Sequence, residues 1–276
     1  MGSKQETVLI EELSWTEIAD RLDAGHRTAV VACGAIEQHG PHLPTGVDTY
    51  LGYSIAEGVA EELGDALVAP TLRPGCSDHH TDFPGTFSIS RETFVSLLRE
   101  YCESLANSGF ETIALIPSHG GNVDVMRTYA PKIARELEDE ADVYFVEMDF
   151  NELNEYCEEH DIPKEVAGVH AGLTETARML HDYGHLVNMD KAEEGMTVPE
   201  FYNPDRIPQS QLESFTNGVR QQVPNGILGD ARGATAEQGR EMKEILVRNF
   251  AEEIRSRRES EPVSMDVPDS VAHEYE

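Results

Sequence analysis

Apolar runs alternate with amphipathic segments along this chain. "TAVVAC" (28–33), "ALVAP" (66–70), "TIALIP" (112–117) and "VYFVEM" (143–148) are short and nearly uninterrupted, the pattern of strands buried on both faces. Between them, apolar residues recur at spacings of three and four. Leu51, Ile55, Val59 and Leu63 share one helical face; Phe94, Leu97, Leu98, Tyr101 and Leu105 share a second; Met126, Tyr129, Ile133 and Leu137 share a third. Further helices are predicted after "HAG" (about 172–182) and over about 236–257. This alternation predicts an α/β fold: one domain, with a mostly parallel sheet sandwiched between helices. The domain is expected to span 1–260, followed by an acidic flexible tail over 261–276. The stretch 195–234 is rich in Pro, Gly and Asn and reads as long loops.

In open α/β sheets, ligands bind beyond the carboxyl ends of the strands. Two polar clusters fall at such ends. "GAIEQHGPHLPTGVD" (34–48) follows the first predicted strand, and "SHGGN" (118–122) follows the third. Glu37 and His39, one residue apart, project to one side if the chain is still extended there. They are either a polar strand end or a pair of metal ligands. Asp48 precedes the helix of Leu51 and Ile55, so it is either an N-cap or a ligand able to bridge two cations. His119 is either a loop histidine or a ligand approached closely by the backbone at Gly120 and Gly121. In "GVHAGLTETARML" (168–180), His170 lies before a helix and Glu175 in its first turn, so the two can converge. Glu175 alone is also explained by the favourable placement of an acid at a helix N-terminus. His79 and His80, in "CSDHHTDFPGTFSIS" (76–90), are expected to shape a pocket and not to be ligands. Together Glu37, His39, Asp48 and His119 offer oxygen and nitrogen donors that suit Zn, Mn or Fe(II).

Composition narrows the partners. Of 276 residues, 52 are acidic and 21 are Lys or Arg, a net charge of −31 spread over most segments. Such a coat repels nucleic acid and anionic membranes, so neither is expected as a partner. It fits solvation in a high-salt cytosol, where ions screen the self-repulsion, and hence a halophilic source, the alternative being an acidic mesophile protein. The hydrophobic fraction of 39% is enough for a core, and no run approaches the length of a membrane-spanning helix. The N-terminus is acidic and lacks a signal-peptide pattern, which predicts a cytoplasmic location. Cys33, Cys76, Cys102 and Cys157 show no CxxC pairing and are expected to be free thiols. No GxGxxG or GxxxxGK[ST] motif follows a strand, which argues against a nucleotide-dependent enzyme.

The ordered set "GAIEQHGPHLPTGVD", "FPGTFSIS", "SHGGN", "HAGLTET" and "GDARGATAEQGREM" (229–242) resembles the creatininase family over about residues 10–255. The resemblance implies a dinuclear metal amidohydrolase, often hexameric, acting on a small-molecule amide. By motif, Glu37 and His39 would be terminal ligands on different metals, Asp48 would bridge, and His119 would join the metal shared with Glu37. His170 matches the family histidine that assists proton transfer, and Glu175 matches a carboxylate found at the site in many members.

Three departures bear on substrate. Creatinine-hydrolysing members carry a glutamate two residues after the second metal histidine, where this chain has Gly121. They also use a tryptophan near the position of His170, whereas the single tryptophan here is Trp15. The family's Asn-Gly before the metal histidine is Pro117-Ser118. Creatinine is therefore disfavoured. The expectation is hydrolysis of a non-peptide C–N bond in a small cyclic or formylated amide, with His170 protonating the leaving nitrogen. An alternative within the family is deformylation of a formylamino-pyrimidine ribosyl phosphate in flavin or deazaflavin biosynthesis, with Arg73 and Arg232 as candidate phosphate contacts. Another branch trims a peptide, and no residue of this sequence points to it. An alternative of another class is a non-catalytic metal- or ligand-binding protein on the same fold.

Overall fold

The computed structural model of the protein describes residues 7–147, 150–199 and 217–260. Strands β1 (Thr28–Cys33), β2 (Ala66–Leu72), β3 (Thr112–Pro117) and β4 (Asp142–Phe145) form one sheet in the order β2-β1-β3-β4, every neighbouring pair parallel. Among the described residues the helices are α1 (Trp15–Asp23), α2 (Val47–Leu63), α3 (Arg91–Asn107), α4 (Gly120–Glu136), α5 (Asn151–Glu159), α6 (Lys164–Ala167), α7 (Leu173–Tyr183), α8 (Val219–Gln222) and α9 (Ala236–Glu259). This is the α/β sandwich the sequence predicts.

Side chains on the central strands alternate between two cores, as a pleated strand requires. Ala29, Val31, Cys33, Ile113 and Leu115 pack with Phe94 and Leu98 of α3 and Met126 and Ile133 of α4. Val30, Ala32, Ala114 and Ile116 pack with Ile55 and Val59 of α2, Ala177 of α7 and Leu246 and Phe250 of α9. Both faces are thus covered, and β1 is buried at all six positions.

The differences from the predicted elements lie at edges and on acidic helices. β2 runs on to Leu72 through Pro70, which an edge strand tolerates because one side of it needs no ladder N–H. β4 ends at Phe145, and Met148, which the sequence placed in this strand, lies outside the described residues. Helices α1 and α5 were not predicted. α1 nevertheless starts with a readable device, a capping box between Ser14 and Glu17. Thr235 and Gln238 form a second one at the start of α9. Within 195–234 the described residues are mostly loops with the short α8; residues 200–216 and the tail 261–276 lie outside the described residues.

All four cysteines are free and buried. Among the described residues no helix is long and apolar enough to cross a membrane. Arginines of α9 pair with acids elsewhere, Arg255 with Glu62 and Arg258 with Asp65. Such exposed pairs contribute about 0–1 kcal/mol each, so the buried apolar face, not the ion pairs, sets the position of α9.

β1 has β2 on one side and β3 on the other, so the chain switches direction across the sheet between β1 and β3. The crevice at their carboxyl ends is where a ligand site is expected in such a sheet.

Candidate metal centre

The loop that leaves β1 is held tightly against the start of α2. At Gly34 a Cβ would stand 2.9 Å from the Asp48 carbonyl oxygen, so only glycine allows this approach. The loop is tied back by the Glu37 N–H, which donates to the Thr45 carbonyl at 2.9 Å. Asn122, fully buried on the first turn of α4, clasps three segments. Its Nδ2 donates to the carbonyls of Cys33 (3.1 Å) and Gly34 (3.0 Å), and its Oδ1 accepts the Cys76 N–H (3.0 Å).

These restraints bring all six candidate residues together. Asp48 is not the cap of α2: the N-cap is Gly46, and Asp48 is a buried first-turn residue. Its Oδ1 lies 3.3 Å from His39 Nε2, and its Oδ2 lies 3.2 Å from His119 Nδ1. Glu37 Oε1 is 3.4 Å from His119 Nδ1 and 3.5 Å from His170 Nδ1. Glu175 accepts the Ala171 N–H at 2.5 Å, so it does serve the helix end, yet the same oxygen is 3.8 Å from His39 Nε2. His170 stacks at 4.1 Å from the His39 ring.

The donor atoms fit divalent ions. Glu37, Asp48 and His119 form one set whose ligand atoms all lie within 4.8 Å of one another, and His39, Asp48 and Glu175 form another, with Asp48 common to both. Two ligands about 2.1 Å from a tetrahedral ion stand about 3.4 Å apart, close to the spacings seen here. Glu37 Oε2, His39 Nε2 and Asp48 Oδ2 are buried without a hydrogen-bond partner, which is costly unless a cation meets them. The free ends of the imidazoles are also fixed. His39 donates Nδ1–H to the Glu37 carbonyl (3.1 Å), and His119 donates Nε2–H to the Cys76 carbonyl (3.0 Å), so each turns its other nitrogen to the carboxylates as a lone pair.

Charge in the cluster is strongly coupled. Burial alone would raise the Glu37 carboxyl, but His119, His80 and His170 around it hold it well below its usual range. Burial would likewise raise Asp48, and His39 above all brings it down to about 2. Against its own burial, His39 is raised to about 9 by Asp48, Glu175 and Glu37. His119 is raised well above the usual imidazole value by Glu37 and Asp48, again against burial. His170 is lowered, by burial and then by His39. Without metal the protein therefore stores protons on His39 and His119, where cations would otherwise sit.

Of two further neighbours, His80 was expected to shape a pocket and Gln38 was not singled out from the sequence. His80 is buried with Nε2 3.6 Å from Glu37 Oε1, and Gln38 reaches both His80 and His170. His42, the remaining histidine of the opening motif, instead bonds Thr176 of α7 at 2.9 Å. Arg232 is engaged by Asp230 (2.8 Å) and Glu194 (2.7 Å), and Arg73 is exposed. Trp15 is exposed on the first turn of α1. At Gly121 a Cβ would stand 2.2 Å from the Cys76 carbonyl and 2.5 Å from His119 Nε2. Position 121 is thus closed to a side chain by the Cys76 backbone and the His119 ring.

Known proteins agree with this architecture. The sequence model of the family described as "Creatininase: Creatinine amidohydrolase" matches residues 11–254. The mycofactocin precursor peptide peptidase of Mycolicibacterium smegmatis is 33% identical over 231 residues, covering 82% of this chain and 83% of that one. The creatinine amidohydrolase of Pseudomonas putida is 28% identical over 268 residues, covering 90% and 96%. A manganese creatininase superposes with a TM-score of 0.76 at 25% identity, covering 92% of this chain and all of that one. A zinc–zinc creatininase mutant gives 0.74 at 25%, covering 93% of this chain and all of that one. With one family matched from α1 to α9 and its solved structures sharing the fold, this chain belongs to the creatininase family, whose hydrolases act on carbon–nitrogen bonds.

Proposed function

We propose that the protein hydrolyses a non-peptide C–N bond in a small cyclic or formylated amide, using two divalent ions, Zn, Mn or Fe. Glu37, Asp48 and His119 would hold one ion, and His39, Asp48 and Glu175 the other. The observation that carries this reading is the divergence of the two Asp48 oxygens, one towards His39 and one towards His119. Bound there, the ions supply Lewis acidity and a water that is acidic enough to react near neutral pH. The chain's own residues do the rest. His170, whose Nδ1 faces Glu37 at 3.5 Å, accepts the proton released by the water and returns it to the leaving nitrogen. Burial lowers the pKa of His170, which favours its neutral ring. Glu175 takes the ligand place that Gly121 leaves empty of any side chain, a reading supported by its 3.8 Å approach to His39.

Creatinine is disfavoured as the substrate, because Gly121 and Trp15 both depart from the creatinine-hydrolysing pattern. The deformylase reading gains little, since Arg232 is already paired with two acids. A second reading has a specific observation in its favour: the relative at 33% identity is a peptide peptidase, so trimming of a small peptide is the rival substrate class.

The setting is likewise proposed. The spread of 52 acids against 21 bases supports a halophilic, archaeal, cytoplasmic protein. A homo-oligomer, with six copies as the family resemblance implies, is the expected assembly.

The test is elemental analysis of protein purified in molar salt without chelator, followed by a turnover screen of formamides, cyclic amides and short peptides. About two ions per chain and turnover of a small amide are expected. Peptide cleavage with the amides untouched would move the assignment to the rival. Bound metal without any turnover would leave a binding protein. Near-zero metal, with no uptake on adding Mn or Zn, would overturn the metal centre.

A further inference from the structure

Gln38 sits between Glu37 and His39 in the chain, yet its side chain bonds none of the six candidate residues except His170. The orientation of its amide is fixed by two backbone groups whose polarity is not in question. The Gly40 N–H donates to Oε1 at 2.9 Å, and Nε2 donates to the Gly226 carbonyl at 3.1 Å. One Nε2 hydrogen remains. Two ring nitrogens lie within reach of it, His80 Nδ1 at 2.9 Å and His170 Nε2 at 3.0 Å.

The main chain decides between them. His170 Nε2 is 2.7 Å from the carbonyl oxygen of Gln38 itself, which can only accept. His170 must therefore carry its proton on Nε2 and cannot accept from the amide. The amide hydrogen goes to His80 Nδ1, so the His80 proton sits on Nε2. The two rings stack at 4.4 Å with a 25° tilt, and they turn opposite ends to Glu37. His80 points Nε2–H towards Oε1 at 3.6 Å, and His170 points its bare Nδ1 towards the same oxygen at 3.5 Å.

We propose that Gln38 is a positioning residue that presents one hydrogen-bond donor, His80 Nε2–H, and one acceptor, His170 Nδ1, side by side at the metal centre. The backbone carbonyl of residue 38 sets His170, and the side-chain amide sets His80. In amide hydrolysis this division is useful. As the water oxygen bonds the carbonyl carbon, its proton passes to His170 Nδ1. When the C–N bond breaks, that proton goes to the leaving nitrogen. His80 gives up no proton; it supplies a directed N–H beside the His170 acceptor, aimed at the same Glu37 oxygen. This use of the pair rests on the hydrolase reading, whereas the two Nε2 protons rest on the hydrogen bonds alone; the bare Nδ1 of His170 is that of the neutral ring.

The experiment is a long-range 1H–15N correlation spectrum of the full chain, labelled with 15N-histidine and reconstituted with zinc. Signals are assigned by their loss in His80→Gln and His170→Gln. Both rings are expected to be protonated on Nε2. In Gln38→Glu a carboxylate replaces the donor, so His80 is expected to switch its proton to Nδ1 while His170 stays on Nε2. In Gln38→Met the His80 ring loses its fixed tautomer and His170 again does not change. A merely structural glutamine would move both rings or neither. A wild-type His80 protonated on Nδ1, or a folded Gln38→Glu protein with His80 still on Nε2, would overturn the assignment. If the substituted chains do not fold, the wild-type spectrum alone decides. The spectrum reads hydrogen bonds and not turnover, so it can fail while the hydrolase reading stands, and the reverse.

Discussion

His119 Nδ1 lies 3.2 Å from Asp48 Oδ2, and that oxygen is buried with no hydrogen-bond partner. Because the cap of α2 is Gly46, capping does not account for the burial of Asp48. Asp48→Asn separates shape from charge, since the amide is nearly isosteric and a poor bridging ligand. Elemental analysis should fall from about two ions per chain to one or fewer. Full metal content in a folded Asp48→Asn protein would count decisively against the bridge.

Glu175 has two partners that a substitution can tell apart. Glu175→Gln keeps an oxygen that can accept the Ala171 N–H, so the start of α7 and the thermal stability should change little. The affinity of the ion at His39 should weaken by at least about 10-fold. Titration of the chelated variant with Mn, followed by calorimetry, measures this. Equal affinity in the variant would reduce Glu175 to a helix-end residue.

Metal and protons compete for the same imidazoles, which gives a signed pH dependence. In the metal-free protein, His39 is raised from 6.5 to about 9, so its contribution to stability is full below 6.5 and is lost as pH rises through 9. Asp48 is lowered from 3.8 to about 2, so its contribution is present above 3.8 and is lost as pH falls through 2. The melting temperature of chelated protein should therefore fall between pH 6.5 and 9. Metal-loaded protein should not show this fall, because cations replace the protons, and uptake near neutral pH should release protons into the buffer. Parallel melting profiles with and without metal would refute the competition.

Asn122 donates twice and accepts once, and only an amide does both. Asn122→Asp would set a carboxylate against the Cys33 and Gly34 carbonyls. A loss of at least about 2–3 kcal/mol in denaturant unfolding is expected. Asn122→Ala should cost less, because it removes the bonds without adding a buried charge. A milder effect from Asp than from Ala would show that the clasp is not what holds the site together.

How much of this was legible in the sequence varied with the source of the signal. β1 and β3 are buried on both faces, so their uninterrupted apolar runs mark both ends of each. β4 lies at the edge, where burial no longer dictates the pattern, and its end was misplaced. α1 buries no residue fully, α5 buries only Leu153, Tyr156 and Cys157, and both are short and rich in acids, so they are easily passed over, although Ser14 and Glu17 mark a start. At the site, Glu37, His39 and His119 stand out by residue type. Asp48 does not, because a capping and a ligating aspartate look alike at a helix start. His80 and Gln38 were the least legible. Their bond spans 42 positions and the one from Gln38 to His170 spans 132, and no local spacing encodes contacts of that range.

The backbone around Gly121 has a consequence for descent. The space beside this residue is filled by the Cys76 carbonyl and the His119 ring. A single base change to a larger residue would land in a neighbourhood already occupied, and the loop carrying Cys76 would have to move first. A side chain at position 121 therefore requires ordered, interdependent changes and not one reversible substitution. Variants that acquire one should show the loop rearrangement first.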